Sequence, residues 1–220
     1  ALPRLGVLVP WPVWLVGRRT GVFDSPDCRG RRVDMGERST HHRVMTEDEQ
    51  ALYRRYAHLY DRIYHWKDYA AEAETVRSLL RGAGVREGGR VVEAACGTGS
   101  YLVHLNNWYE VSGFDLNRAT LEVARRKVPK VEVFEADMTD FELKRPADAI
   151  VCLFSSIGYV LPGEPLRAAA EAFHRNLLPG GVVLIEPWLE PDAAIDGHLA
   201  QQTCASDDLK LCRTGVHRVD

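Results

Sequence analysis

The stretch Arg90-Val-Val-Glu-Ala-Ala-Cys-Gly-Thr-Gly-Ser-Tyr-Leu-Val-His-Leu105 determines how the rest of the chain is interpreted. It begins as a short apolar strand that ends at an acidic residue, Glu93, and its small residues then lead into a turn of helix. Glycine has no Cβ, so Gly97 and Gly99 let the backbone turn sharply and let a ligand approach the main chain. A helix that begins just after such a turn offers free N–H groups to a polar ligand. The pattern predicts a nucleotide-type cofactor at the carboxyl end of the first strand of an α/β sheet.

The same stretch lacks the dinucleotide fingerprint G-x-G-x-x-G, because Leu102 stands where the third glycine would be. What remains is Glu93-x-x-x-Gly97-x-Gly99, and Asp115 follows Gly99 by sixteen positions at the end of a second strand-like run. An acidic group at that point suits two ribose hydroxyls. The pattern resembles the first two motifs of the class I S-adenosylmethionine-dependent methyltransferases.

The composition narrows the class of protein. With 220 residues, 45% of them hydrophobic, the chain is long enough for one α/β domain with a real core. The net charge of −3 and the dispersed Lys and Arg leave no basic footprint, so no nucleic-acid partner is expected. Five cysteines without a C-x-x-C pair indicate a reducing, cytoplasmic compartment. The eight histidines lack metal-ligand spacing, and no metal site is expected.

Residues 1–44 differ in character from the rest of the chain. The apolar run from Leu5 to Val16 is interrupted by two prolines and is too short to span a bilayer, so no membrane partner is expected. The segment that follows shows neither helical nor strand periodicity. Thr46 to Glu49 matches a capping box directly after Met45. We therefore expect residues 1–44 to be a disordered or non-native extension, with the functional domain spanning residues 45–220.

Two helices are expected before the first strand. From Glu49 the pattern is helical, with one apolar face formed by Leu52, Tyr56, Leu59 and Ile63. A second helix begins near Tyr69 and stops at the glycines 82 and 84.

Strands and helices then alternate, which predicts right-handed crossovers and a parallel sheet. Asn117 is expected to cap the helix after the second strand. The signal fades after Trp188, although Lys210–Val219 has the character of a further strand. The fold class expected is a doubly wound, mostly parallel α/β sheet with helices on both faces. The predicted strands are Val91–Ala94, Val111–Phe114, Val131–Glu135, Ala149–Phe154 and Val182–Glu186.

Polar residues follow the other strands at the same edge of the sheet. Asp137 after the third strand could accept a hydrogen bond from an adenine amino group, and Met138 could pack on the ring. The Glu93 carboxylate could take the ammonium group of the cofactor or orient the glycine turn. After the fourth strand, Tyr159 either shapes the acceptor pocket and hydrogen-bonds the nucleophile, or is a turn aromatic that caps the core. Agreement among several strand ends carries more weight than any one of them.

Residues from about 51 to 200 resemble the small aminosugar N-methyltransferases that act on nucleotide-linked sugars. The segments that carry this resemblance are Leu59-Tyr-Asp61, Lys67-Asp-Tyr-Ala-Ala-Glu-Ala73, Ala95-Cys-Gly-Thr-Gly99, Asp137-Met-Thr-Asp-Phe141, Phe154-Ser-Ser-Ile-Gly158 and Gly181-Val-Val-Leu-Ile-Glu-Pro-Trp188. The resemblance implies that Tyr60 and Tyr69 reach over the cofactor, S-adenosylmethionine. The full set expected to bind it is Tyr60, Tyr69, Glu93, Ala95, Gly97, Gly99, Asp115, Leu116, Asp137, Met138, Leu153 and Phe154.

The resemblance also bears on the completeness of the sheet and on the identity of the acceptor. A complete domain of this class would carry two more strands, so we expect a sheet that lacks its last strands and a chain truncated at its C-terminus. The family's C-terminal region contributes acceptor contacts and a homodimer interface. The acceptor is therefore a nucleotide-linked aminosugar or another small metabolite methylated at oxygen or nitrogen, unless the chain is an inactive cofactor-binding fragment. No Asp–His or Glu–His pair is recognisable, which predicts catalysis by orientation with Tyr159 at most assisting.

Overall fold

The computed structural model describes residues 14–18, 53, 55–160, 163–187, 199–206 and 209–216. Its strands are β1 (Trp14–Arg18), β2 (Arg90–Ala94), β3 (Glu110–Asp115), β4 (Glu132–Glu135), β5 (Ala147–Cys152), β6 (Leu177–Ile185), β7 (Leu199–Ala205) and β8 (Lys210–Val216). Its α-helices are α1 (Tyr60–Ile63), α2 (Tyr69–Gly82), α3 (Ser100–Leu105), α4 (Arg118–Lys127) and α5 (Glu164–Arg175), and 3₁₀-helices span Ala57–Leu59 and Ser156–Val160. Within these ranges, no helix has the length and apolar character that a membrane crossing requires.

One six-stranded sheet organises the fold, in the order β1-β6-β5-β2-β3-β4. All neighbours from β6 to β4 are parallel, and β1 pairs antiparallel with β6. Strands β7 and β8 form a separate antiparallel hairpin. The predicted doubly wound, mostly parallel sheet is confirmed.

Alternate residues of the central strand β2 face two different cores. Val91 packs in a cluster with residues of α2, α3 and α4, whereas Val92 packs in a cluster with residues of α5 and the 3₁₀-helix Ser156–Val160. Successive side chains of a strand point to opposite faces, so both faces of the sheet are covered by helices. This burial explains why the predicted strands Ala149–Phe154 and Val182–Glu186 are almost continuously apolar.

The side on which the chain adds successive strands changes at β2. Strands β2, β3 and β4 run outward on one side, and β5 then returns to pair with the other side of β2. The registers align the carboxyl ends, because Ala94 lies opposite both Phe114 of β3 and Cys152 of β5. A crevice outside the strand ends at such a switch point is the usual ligand site of open α/β sheets.

Part of the N-terminal segment that was expected to be disordered or non-native forms a strand. Trp14–Arg18 is a strand and not disordered, and the remainder of residues 1–44 lies outside the described residues. An unpaired sheet edge presents a row of free N–H and C=O groups, and β6 would present one without β1. The apolar run that contains Trp14 supplies an extended partner for it.

Three element boundaries also differ from the prediction. The predicted first helix is not continuous: Tyr53 is helical, Arg55 and Tyr56 form a turn and a bend, and a 3₁₀-helix and the four-residue α1 follow. Strand β5 ends at Cys152 and not at Phe154, because the backbone at Phe154 has a positive φ of 51°. Strand β6 begins at Leu177, where the register against β5 shifts, so the Pro-Gly-Gly segment interrupts pairing without ending the strand. Asn117 does cap α4, accepting from Ala119 N at 3.0 Å.

At Gly113 of β3, the glycine turn and α3 lie too close to the strand to leave room for a side chain. A Cβ at this position would lie 2.9 Å from Cys96 Cβ, Cys96 Sγ and Leu102 Cδ1. Cys96 belongs to the glycine turn after β2, and Leu102 belongs to α3, which follows it. The absence of a side chain at Gly113 therefore allows the turn to rest directly on β3.

Gly113→Ala should lower the free energy of unfolding by about 1–3 kcal/mol, because overpacking forces side chains and backbone to shift. Urea unfolding of the full chain measures this. The matched control is Gly82→Ala at the end of α2, where an added Cβ meets nothing within 4 Å. The control should be neutral or stabilising, since alanine favours helix over glycine. Equal stability of the two variants would contradict the close-packing explanation.

Candidate functional site

The carboxyl ends of four adjacent strands bring most of the predicted site residues to one edge of the sheet. The end of β2 and the turn after it carry Glu93, Ala95, Gly97 and Gly99, and the end of β3 carries Asp115 and Leu116. The segment after β4 carries Asp137 and Met138, and the segment after β5 carries Leu153 and Phe154. Tyr60 begins α1, Tyr69 begins α2, and Tyr159 lies in the 3₁₀-helix after β5. Within the described ranges, no group of three or more His, Cys, Asp or Glu side chains could hold a metal ion.

The glycine turn after β2 has an unusual backbone. Ala95, Gly97 and Gly99 all have left-handed φ values, of 56°, 53° and 74°. A Cβ at Gly97 would meet nothing within 4 Å, so space is open beside its main chain. Left-handed non-glycine residues cost free energy and cluster at functional sites. The open, strained turn fits the close approach of a ligand to the backbone.

Asp115 holds this turn in place from the neighbouring strand. Its Oδ2 accepts from Gly97 N at 2.9 Å, and its Oδ1 accepts from Asn117 N at 2.8 Å and from Thr120 Oγ1 at 3.4 Å. Burial raises the pKa of this carboxyl, while the Asn117 and Gly97 N–H donors oppose the rise. A carboxylate has about four acceptor positions. Oδ2 therefore keeps room for a ligand hydroxyl.

Leu116 after β3 offers an apolar surface, and Asp137 after β4 offers a polar group. Leu116 is 67% exposed, an unusual state for leucine directly after a buried strand. Asp137 is exposed, and its Oδ1 accepts from Thr139 N and Thr139 Oγ1 at 2.8 and 2.7 Å. Its other carboxylate oxygen has no protein donor within the described residues. Met138 beside it is buried.

Glu93 is a buried carboxyl in the centre of the sheet. It is 2% exposed, and its Oε2 is the one buried side-chain oxygen or nitrogen of the described residues that lacks a hydrogen-bond partner. Burial raises the pKa of Glu93 well above its usual range, and the charge of Asp115 adds to this rise. An unpaired buried carboxyl next to the glycine turn fits a site for a cationic group.

A second strained turn follows β5. Phe154 and Ser155 have φ values of 51° and 58°, and Leu153 before them is buried. Glu186 holds the turn, because its Oε2 accepts from Phe154 N at 2.7 Å. Ser155 Oγ donates to the Pro187 carbonyl at 3.0 Å. The segment after β6 thus fixes Phe154 at the switch point.

Lys67 introduces a buried cation that the sequence did not reveal. Its side chain is 5% exposed, and its ammonium lies 4.4 Å from the centre of the Phe154 ring and 2.5 Å from the Glu72 carboxylate. Tyr101 donates a hydrogen bond to Glu72, and the Tyr69 ring meets Tyr101 edge-on at 5.0 Å. Tyr69 is therefore held by a network that joins α2, α3 and the Phe154 turn.

Five aromatic side chains, Tyr53, Tyr60, Tyr64, Phe154 and Tyr159, form a surface that we call the aromatic wall. Ring centres are separated by 5.8 Å between Tyr53 and Tyr60, and by 4.7 Å between Tyr60 and Tyr64. Tyr64 meets Phe154 edge-on at 5.1 Å, and Tyr53 meets Tyr159 edge-on at 6.1 Å. Phe154 thus belongs both to the predicted cofactor residues and to this wall.

The hydroxyl groups of the wall are neutral. Tyr53 and Tyr159 oxygens lie 2.6 Å apart in a hydrogen bond, and Arg213 Nη1 donates to the Tyr64 hydroxyl at 2.9 Å. Burial raises the pKa of Tyr53, Tyr64 and Tyr159 above the ordinary value of 10.0. These groups can donate and accept hydrogen bonds, but they stay protonated near neutral pH. They are therefore poor general bases.

Sequence reasoning missed Tyr53, Lys67 and Arg213. Arg213 lies 149 positions from Tyr64, so no local pattern could reveal their contact. Lys67 stands in a segment that carries the family resemblance, but its burial was not visible. Asp61 also stands in such a segment, and its contacts with the glycine turn appear only in the structure.

Comparisons with known proteins support a methyltransferase. Residues 91–181 match a family described as a methyltransferase domain. A dTDP-3-amino-3,4,6-trideoxy-alpha-D-glucopyranose N,N-dimethyltransferase of Streptomyces venezuelae is 37% identical over 161 residues, covering 72% of this chain and 68% of the relative. A dTDP-4-amino-2,3,4,6-tetradeoxy-D-glucose N,N-dimethyltransferase of Saccharopolyspora spinosa is 39% identical, covering 64% of this chain and 58% of the relative. The chain thus spans about two thirds or less of the length of these relatives.

A solved structure agrees with the sequence relatives. CalS10 with bound S-adenosylmethionine, an amino pentose methyltransferase from Micromonospora echinaspora, matches with a TM-score of 0.62 at 28% identity, covering 80% of this chain and 70% of that one. The strand order, the open glycine turn and the acidic strand ends fit the same cofactor. The chain belongs to the family of S-adenosylmethionine-dependent methyltransferases that includes the aminosugar N,N-dimethyltransferases.

Proposed function

We propose that this chain transfers a methyl group from S-adenosylmethionine to the amine of a nucleotide-linked aminosugar. The observation that carries the proposal is the aromatic wall, which meets the cofactor edge of the sheet at Phe154. Relatives with 37% and 39% identity act on amino groups of dTDP-linked sugars. Neutral hydroxyls and apolar ring faces together suit a sugar that carries an amine and hydroxyl groups.

The cofactor residues are assigned as part of the same proposal. Asp115 would take the ribose hydroxyls, Asp137 the adenine amino group, and Leu116 and Met138 the ring faces. Glu93 would lie towards the ammonium of the methionine part, and Tyr60 and Tyr69 would cover that part from α1 and α2. The remaining contacts fall to the backbone from Ala95 to Gly99 and to Leu153 and Phe154. The open space at Gly97, the exposed Leu116 and the unpaired Glu93 oxygen support this arrangement.

The protein's task in such a transfer is to position the acceptor. When bound, the cofactor supplies a methyl carbon already activated by the positive sulfur. The neutral acceptor amine would need to present its lone pair in line with that carbon, and the proton that the methylated amine must lose would pass to water. Orientation of reacting groups can supply on the order of 7–11 kcal/mol. The paired hydroxyls of Tyr53 and Tyr159 can accept from the amine N–H and so direct its lone pair.

Arg213 supports a phosphorylated acceptor. Its guanidinium donates to Tyr64 and to Gln202 Oε1 at 2.9 and 3.1 Å, and it forms no ion pair within the described residues. Arginine recognises phosphate oxygens through several N–H donors. An unneutralised guanidinium at the aromatic wall therefore suits a nucleotide diphosphate attached to the sugar.

We also propose a cellular compartment and an oligomeric state for the enzyme. We place the enzyme in the cytoplasm, because five cysteines without paired spacing suit a reducing compartment. A homodimer is proposed, in keeping with the family resemblance.

The direct test incubates the full chain with S-adenosylmethionine and a panel of dTDP-linked aminosugars. Mass spectrometry should show one or two added methyl groups on the sugar amine. A matched acceptor with a hydroxyl in place of the amine is the control and should stay unmodified. Methylation of other small metabolites, with none of the aminosugars modified, would contradict the proposed acceptor.

Tyr159→Phe should lower kcat/KM by less than about tenfold, because the hydroxyl orients the amine without removing its proton. General acid–base groups typically contribute about 10²–10⁴-fold, so a loss above a hundredfold would contradict orientation. Tyr53→Phe is the matched variant and should cost a similar amount. Because the two hydroxyls form one hydrogen bond, the double variant should lose less than the product of the single effects.

Glu93→Gln should stabilise the protein at alkaline pH and weaken cofactor binding. Because the folded-state pKa lies above the ordinary value of 4.5, the wild type loses stability as pH rises from that value toward the folded pKa. In urea unfolding, the gain from glutamine should therefore grow as the pH rises above 4.5, until the folded-state carboxyl is ionised. S-adenosylhomocysteine should bind about tenfold more weakly, through loss of a charge-assisted hydrogen bond.

The control for this experiment is Glu132→Gln, which removes an exposed carboxylate paired with Lys144 at 2.9 Å. It should change neither the affinity nor the pH dependence. A stability gain for Glu93→Gln that is independent of pH would contradict the assigned burial effect.

A further inference from the structure

Asp61 collects an unusual set of partners for a residue of a four-residue helix. Its Oδ1 accepts from Thr98 Oγ1 at 2.6 Å and from Ser100 Oγ at 3.3 Å. Its Oδ2 lies 2.7 Å from Lys127 Nζ. Both carboxylate oxygens are thus occupied by groups of the glycine turn, α3 and α4.

These partners immobilise the cofactor turn itself. Thr98 stands between the left-handed Gly97 and Gly99 and is 2% exposed. Lys127 also donates to Thr98 Oγ1 and to Ser100 Oγ, at 3.2 and 2.9 Å. The Asp61 carboxylate and the Lys127 ammonium therefore hold the two hydroxyls on either side of Gly99.

The same short helix carries two residues of the aromatic wall. Tyr60 begins α1 and Tyr64 caps its C-terminus, four positions later and so on the same side. Around the helix axis, Asp61 points about 100° away from Tyr60. Their rings pack at 4.7 Å, and Tyr64 reaches Phe154 at 5.1 Å. One turn of helix thus joins the glycine turn to the wall that faces the acceptor.

We propose that Asp61 is a positioning residue that couples cofactor binding to the ordering of the aromatic wall. A ligand that rigidifies the glycine turn would, through Thr98 and Asp61, hold α1 and the tyrosines it carries. Two sites joined by such a connection influence each other's affinity by the same factor. The inference requires the cofactor to bind at the glycine turn, but it does not depend on the identity of the acceptor.

The test combines calorimetry and hydrogen exchange on the full chain with S-adenosylhomocysteine. The amide of Tyr64 reports on α1 and that of Lys67 on the turn after it, because they donate to the carbonyls of Tyr60 and Tyr64 at 3.1 and 3.0 Å. Saturating ligand should slow their exchange in the wild type. In Asp61→Ala the Kd should rise about tenfold, and saturating ligand should no longer slow these two amides.

Two further variants separate coupling from general stability. Glu110→Gln is the matched control, since Glu110 is likewise a carboxylate with several polar partners, here Arg90 and Arg145, but lies at the opposite edge of the sheet. It should keep both the affinity and the ligand-induced protection. Asp61→Asn keeps the acceptor for Thr98 without the charge for Lys127, so it should fold if the alanine variant does not and should show an intermediate loss.

The outcomes distinguish the inference from the cofactor assignment. Full protection of the Tyr64 and Lys67 amides in ligand-saturated Asp61→Ala, or none in the wild type, would overturn the coupling. No binding of S-adenosylhomocysteine to the wild type would instead contradict the cofactor assignment on which the coupling rests.

Discussion

The contact between the glycine turn and β3 is the constraint on which the rest of the site depends. No side chain separates them: Gly113 leaves room for Cys96, Cys96 N donates to the Phe114 carbonyl at 2.9 Å, and Gly97 N donates to Asp115. Because β2 and β3 are parallel neighbours, this contact aligns the acidic end of β3 with the open face of the turn. The cofactor edge is therefore a direct result of strand packing.

Strain and burial are concentrated at this edge. The non-glycine residues of the described chain with left-handed backbone are Ala95, Phe154 and Ser155, all directly after central strands. The surrounding structure holds them through the Phe154–Glu186 hydrogen bond and the buried Lys67 ammonium. Such a preformed arrangement suits a reaction whose main requirement is geometry, since the methyl donor is already activated. The neutral tyrosines agree with that division of tasks.

Much of the fold could be predicted because its signals are local. The apolar runs predicted the parallel strands, the glycines after Glu93 predicted the turn, and Asn117 predicted a helix cap that the structure confirms. Asp115 could be singled out because its distance from Gly99 in the sequence is characteristic.

The remainder depends on contacts between distant segments. Nothing near Phe154 in the sequence shows that β5 ends two residues earlier, because the left-handed turn is imposed by Glu186. The strand Trp14–Arg18 was missed because its partner is an edge formed far along the chain. Arg213 and Tyr64, and Asp61 and Thr98, likewise meet only after folding. Burial of Lys67 could not be inferred, since lysine is rarely buried.

The central claim is that the edge after β2 binds S-adenosylmethionine and not a dinucleotide. Calorimetric titration of the full chain with S-adenosylmethionine, S-adenosylhomocysteine and NAD tests it most directly. We expect micromolar binding of the two sulfur compounds at one site per chain and no heat from NAD. Binding of NAD, or a folded sample that binds neither sulfur compound, would contradict it.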